Sequence, residues 1–134
     1  MKTILVLEDE PPLLKLLRHM LKQYKVLEAA TAEQALGLFS DHHRPINLLV
    51  ADVTLPTSSG IVVALLLRFE VPDMPVILTS GYPEANWSPR DSADLERLGS
   101  KSVAILQKPF PAQELLTTVR RLIGEPQSAI ARTA

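Results

Sequence analysis

The sequence contains no cysteine, which excludes a disulfide framework and any thiolate metal centre. Neither sign of charge prevails, since 14 Lys and Arg stand against 15 Asp and Glu for a net charge of -1. Without a basic excess, no direct contact with nucleic acid or with an anionic membrane surface is expected. Long hydrophobic runs are missing as well. The first apolar run, Ile4 to Leu7, is far too short for a signal sequence or a membrane span, and no later run reaches spanning length. A soluble cytoplasmic protein is the expectation.

What is present is a chain of 134 residues, 46% hydrophobic, large enough to bury one core without covalent staples. Two apolar patterns alternate along it. Short runs at Ile4–Leu7, Lys25–Glu28, Ile46–Ala51, Pro75–Thr79 and Val103–Leu106 read as strands, most of them too continuous for a sheet with one wet face. Between them, Leu13, Leu14, Leu16, Leu17, Met20, Leu21 and Tyr24 repeat at helical pitch, as do Ala35, Leu38 and Phe39, and Leu115, Leu116, Val119, Leu122 and Ile123. Thr31 with Gln34 predicts a capping box, and Pro111 with Glu114 suits the first turn of the last helix. The alternation predicts an α/β fold, a parallel sheet covered by helices on both faces. Residues 82 to 101 carry only Leu95 and Leu98 at helical spacing, so a long loop and a short helix starting near Ser88-Pro89 are expected there. One domain over residues 1–124 and a flexible tail over 125–134 complete the expected organisation.

The helix predicted over Ile61–Phe69 is apolar almost all round. One stripe, Ile61, Ala64 and Leu67, suits the sheet. A second, Val62, Leu65, Leu66 and Phe69, has the same spacing and is either covered by neighbouring elements or a surface for a homodimer or a docked kinase. His42 and His43 beside Asp41 and Arg44 read as a solvated helix end rather than a metal site. Trp87 either closes an edge of the core or meets a partner.

In an open parallel sheet, ligands bind outside the carboxyl ends of the strands. Those ends hold Glu8-Asp9, Asp52, Thr79-Ser80-Gly81 and Lys108-Pro109. Singly each has an ordinary reading as a turn acid, a strand hydroxyl or a surface lysine; together they put three carboxylates, a hydroxyl and an ammonium group on one edge. Three carboxylates about 5 Å apart repel by roughly 3 kcal/mol per pair at an effective dielectric near 20, on the order of 10 kcal/mol in all. That is comparable to the whole stability of a domain, so positive charge is required. All the ligands are hard oxygens and no His or Cys converges on them, which favours Mg²⁺ held by carboxylates, water and phosphate oxygens.

The motifs ILVLEDE, ADVTLPTSSG, PVILTSGYP and LQKPF, in that order, resemble the response-regulator receiver domain of two-component signalling, over Lys2 to about Gly124. AILQKPF with TSGYP is most similar to receivers attached to, or related to, hybrid sensor histidine kinases. The resemblance implies a flavodoxin-like, doubly wound sheet of five parallel strands in the order 2-1-3-4-5. It implies that Asp52 accepts a phosphoryl group from a phosphohistidine on a sensor histidine kinase or histidine phosphotransfer protein. Glu8, Asp9 and Asp52 would carry Mg²⁺ with the backbone carbonyl of Thr54, Thr79 and Lys108 would bind phosphate oxygens, and Lys108-Pro109 would be cis. On this view the chain is a phosphoacceptor that catalyses its own transfer and slow dephosphorylation, not an enzyme.

The sequence departs from that pattern where many receivers carry an aromatic residue, three places before the lysine, and this chain has Ile105. The aromatic half of the family's switch is therefore missing. No output domain is expected after Gly124, so any effect on transcription is expected to pass through another protein. Two other classes compete. A haloacid-dehalogenase-type phosphohydrolase also uses an aspartate nucleophile at a strand end, but Asp52-Val53-Thr54 lacks that family's second acid. A pseudo-receiver used for docking alone would not need the full set of acids, hydroxyl and lysine.

Overall fold

In the computed structural model, residues 1–41 and 45–126 are described; His42 and His43 lie outside them. Five strands, β1 (Thr3–Leu7), β2 (Lys25–Ala29), β3 (Leu48–Asp52), β4 (Val76–Ser80) and β5 (Val103–Gln107), alternate with five helices. These are α1 (Pro11–Met20), α2 (Ala32–Asp41), α3 (Gly60–Glu70), α4 (Pro89–Leu98) and α5 (Ala112–Ile123). All strand pairs are parallel and the sheet order is β2-β1-β3-β4-β5, the doubly wound arrangement expected.

The three central strands are buried along their whole length, which is why they read as unbroken apolar runs; the edges β2 and β5 are partly exposed. Alternate residues divide the core between two faces. Leu5, Leu7, Leu49, Ala51, Val76 and Leu78 meet α2, α3 and α4, whereas Ile4, Val6, Leu48, Val50 and Ile77 meet α1 and α5. Among the described residues no helix is long and apolar enough to cross a membrane.

Helix ends follow local chemistry. Thr31 Oγ1 accepts from the Gln34 amide at 3.1 Å, and Gln34 Oε1 reaches back to the Ala30 amide at 2.8 Å. This is the predicted capping box, its second bond displaced by one residue. Gly124 stops α5 with a φ of 81°, a left-handed conformation that costs glycine little. Helix α1 ends at Met20, so Leu21 and Tyr24, which extend its apolar pattern, lie in the following turn. Both are still buried.

Two expectations are corrected. The helix after β4 is not short: α4 has ten residues, as many as α1 and α2. Ser88 Oγ accepts from the Asp91 amide at 3.0 Å and Leu98 enters the core, so one good cap and one tertiary anchor outweigh the sparse apolar pattern. Strand β3 starts at Leu48 rather than Ile46. Asn47 is used otherwise, its amide donating to Thr3 O and its side-chain oxygen accepting from the Thr3 amide, each at 2.8 Å.

The start of the expected flexible tail is bonded. Pro126 O accepts from the Lys2 amide at 3.1 Å and Glu125 pairs with Arg120 at 3.5 Å. Residues 127–134 lie outside the described ones. The Lys2 ammonium donates to Ile123 O and the Tyr24 hydroxyl to Gly124 O. The end of α5 is thus fixed to the start of β1 and to the turn before β2.

Candidate functional site

Because all strands run the same way, their carboxyl ends share one rim. The order reverses between β1 and β3, and a crevice is expected at that point. Glu8 and Asp9 follow β1, Asp52 ends β3, Thr79 stands opposite Asp52 in the β3–β4 register, and Lys108 follows β5. One carboxylate oxygen from each of Glu8, Asp9 and Asp52 lies within 4.8 Å of the others.

Lys108 closes this cluster. Its Nζ donates to Glu8 Oε1 and to Asp52 Oδ2, both at 2.9 Å. The second oxygens are also held: Glu8 Oε2 accepts from the Glu10 amide and Asp52 Oδ1 from the Thr54 amide, each at 3.1 Å. Glu8 is 1% exposed and Asp52 5%. Burial pushes the Glu8 carboxyl above its ordinary range, partly opposed by Lys108 and the Glu10 amide and reinforced by the charge of Asp52. For Lys108, burial alone would lower the pKa, but bonds to the Glu8 and Asp52 carboxylates outweigh it and hold the ammonium above its ordinary range.

Asp52 nevertheless reaches solvent through a groove of roughly 700 Å³ lined by Asp9, Glu10, Asp52, Thr54, Leu55, Pro56, Gly81, Tyr82 and Lys108. Glu8 and Thr79 are buried and are not among its walls. Three carboxylates against one ammonium leave an excess of two negative charges. Oxygen donors alone, at this spacing, suit a hard divalent cation. The Lys108-Pro109 bond is cis, as the resemblance implied.

Several contributing residues were given no role at the site from the sequence. Gly60 opens α3 directly against Asp52, where a Cβ would meet the Asp52 carbonyl oxygen at 2.4 Å and Ala51 Cβ at 2.7 Å. Its place after Ser59, which caps α3 by accepting from the Ile61 amide at 3.1 Å, was the available clue. Ser80 Oγ accepts from the Tyr82 amide at 3.0 Å, and the Trp87 indole N–H donates to Tyr82 O at 3.2 Å. Trp87 is partly buried and packs against the core on the α2, α3 and α4 face of the sheet, which favours the reading as an edge of the core.

On α3, Ile61, Ala64 and Leu67 face the sheet as expected, joined by Val63. Of the second stripe, Val62 and Leu65 are partly covered, Leu66 is 43% exposed and Phe69 84%. Arg68, between the stripes, donates to Met74 O, Leu98 O and Lys101 O at 2.8 to 3.0 Å.

A doubly wound parallel sheet with an acidic pair after β1, an aspartate ending β3 and a lysine after β5 defines a receiver of the two-component type. Sequence comparison agrees: the family described as the response regulator receiver domain matches residues 4–120, and the chain belongs to it. It is 31% identical over 121 residues to the response regulator GtcR of Aneurinibacillus migulanus, covering 89% of this chain and 46% of that regulator. It is 30% identical over 125 residues to the sensor kinase CckA of Brucella abortus, covering 90% of this chain and 12% of the kinase. Thus the chain spans less than half the length of either relative. Among solved structures, a response regulator receiver protein from Sinorhizobium medicae matches with a TM-score of 0.77 at 26% identity, covering 94% of this chain and 97% of that one.

Proposed function

We propose that this chain is a phosphoacceptor that takes a phosphoryl group from a phosphohistidine of a sensor histidine kinase or histidine phosphotransfer protein onto Asp52, with Mg²⁺, and signals through changed protein–protein contacts. The observation that carries this reading is Lys108 Nζ, 2.9 Å from both Glu8 and Asp52, closing a cluster whose three carboxylates lie within 4.8 Å.

Glu8, Asp9 and Asp52, with the Thr54 carbonyl, would hold Mg²⁺. When bound, the ion supplies positive charge to the phosphoryl oxygens. The chain itself contributes position. Both Asp52 oxygens are hydrogen-bonded, by the Thr54 amide and Lys108, so the carboxylate is oriented before the donor arrives. In transfer, an Asp52 oxygen forms the new O–P bond as the donor's N–P bond breaks, and the electron pair returns to the imidazole nitrogen. Lys108 and the Thr79 hydroxyl would then bind phosphoryl oxygens. Hydrolysis of the acyl phosphate returns the Asp52 carboxylate and inorganic phosphate, so the chain ends each cycle unchanged.

The test is intact-mass analysis after incubation with acetyl phosphate and Mg²⁺. The native chain should gain one phosphate and Asp52→Asn none. Multiple turnovers of a generic phosphomonoester would favour the hydrolase reading, and an unlabelled native chain would favour a docking module.

For the contacts that carry the signal, we propose the open part of α3, because Leu66 and Phe69 are the apolar side chains this helix leaves most exposed. The surrounding exposed charges are of both signs, Glu70 and Asp73 against Arg97 and Lys101, which suits a second copy of the chain. Molar mass and phosphotransfer of the Val62→Glu, Leu66→Glu double variant test this. No change in either discards it.

A further inference from the structure

The groove above Asp52 is larger and less polar than a phosphoryl acceptor alone requires. At about 30 Å³ per water-sized volume, a four-atom phosphoryl group and a cation with a few waters together fill less than half of the roughly 700 Å³ of this open groove. Asp9, Glu10, Asp52 and Lys108 supply the charged walls, and Leu55, Pro56, Gly81 and Tyr82 supply an apolar remainder. Phosphoryl chemistry at Asp52 makes no use of that remainder.

Tyr82 is the one aromatic residue among the groove's lining residues. It is 63% exposed, yet its backbone is held at both ends. Ser80 Oγ accepts from its amide, the Trp87 indole N–H donates to its carbonyl, Ser80 is buried, and Trp87 is partly buried against the core. One turn of 3₁₀ helix, Glu84–Asn86, spans the gap between them, with the Trp87 amide bonded to Glu84 O at 3.1 Å. The residue is therefore presented by a braced loop. A pre-positioned aromatic with only two side-chain torsions to fix offers contact area at low entropic cost.

Resting on the phosphoacceptor reading, we propose that Tyr82 is a specificity-determining residue for the leaving group: its ring receives the imidazole of the phosphodonor and makes the site prefer phosphoimidazole-type donors to acyl phosphates. Trp87 acts on the same preference as a positioning residue, through the Tyr82 carbonyl. The two heterocycles meet by offset or edge-to-face contact while the phosphoryl group lies over Asp52. As the N–P bond breaks and Asp52 forms its O–P bond, the electron pair stays on the imidazole, which takes a proton from solvent and leaves along the apolar wall. Acetyl phosphate brings no ring to that wall and gains nothing from it.

The experiment uses two small donors, monophosphoimidazole and acetyl phosphate, each with Mg²⁺, and reads the ratio of their phosphorylation rates by intact mass. Removing one aromatic pair contact should lower that ratio by about three- to tenfold in Tyr82→Ala. Tyr82→Phe, which keeps the ring, should retain the native ratio. Trp87→Phe, which keeps the core packing and loses the indole donor, should fall between the two. A Tyr82→Ala ratio equal to the native one, or a Tyr82→Phe ratio as low as that of Tyr82→Ala, overturns the proposal and leaves the phosphoacceptor reading standing. A native chain that accepts phosphate from neither donor overturns both.

Discussion

Gly60 is packed directly against the backbone of Asp52, so closely that the first carbon of any side chain there would overlap the Asp52 carbonyl oxygen at 2.4 Å. The obstacle is backbone and cannot swing aside. Gly60→Ala should lose about 1–3 kcal/mol through overpacking, despite the roughly 1 kcal/mol by which alanine exceeds glycine in helices. Urea unfolding gives the stability, and the acetyl phosphate labelling rate should fall with it because the strand end carrying the nucleophile must shift. Unchanged stability and rate would mean that α3 starts elsewhere.

Charge neutralisation at Asp52 gives a second expectation. The attraction of Lys108 at 2.9 Å is about 6 kcal/mol at an effective dielectric near 20, and repulsion by Glu8 and Asp9 within 4.8 Å is at least about 3.5 kcal/mol each. Repulsion slightly exceeds attraction, so Asp52→Asn should raise metal-free stability by on the order of 1 kcal/mol. Mg²⁺ at roughly 100 times its Kd should stabilise the native chain by about 2–3 kcal/mol and the variant by much less. Thermal melts with and without the ion make the comparison.

Arg68 gives a third. Its planar fork bonds three carbonyls, of Met74, Leu98 and Lys101, tying the end of α3 to the starts of β4 and β5 and to the end of α4. A lysine ammonium cannot span them. Arg68→Lys should cost about 2–3 kcal/mol, measured by urea unfolding, with faster amide exchange over residues 99–103.

A fourth concerns alkaline pH. Burial raises the pKa of the Tyr24 phenol above 10.0; Arg120 opposes the shift and Glu125 adds to it. The folded state thus favours the neutral phenol, whose hydroxyl bonds Gly124 O at 3.1 Å. Its contribution is complete below 10.0 and is lost as pH rises through the folded value. Tyr24→Phe should cost about 1 kcal/mol at neutral pH, and the gap between variant and native should narrow above pH 10 or so. Urea unfolding at several pH values checks it.

These residues also mark how far sequence reasoning reached. β1, β3 and β4 were legible because strands buried on both faces carry continuous apolar runs. The parallel order then put Glu8, Asp9, Asp52 and Lys108 on one rim. α4 was underestimated because its stability comes from the Ser88 cap and the burial of Leu98, which the sparse pattern of Leu95 and Leu98 does not display. Arg68 could not be read at all. Its partners are backbone carbonyls 6 to 33 residues away, which leave no trace in side-chain type. Gly60 is similar, since the space it must leave empty belongs to another element.

The bond from the Lys2 amide to Pro126 O lies just before β1, on the side of the sheet away from the rim that carries Asp52. Both ends of the described chain therefore meet at the pole opposite the reactive groove. A fluorescent label or an affinity handle joined at Met1, or grafted directly after Pro126, would attach there, leaving the approach of a phosphodonor unobstructed.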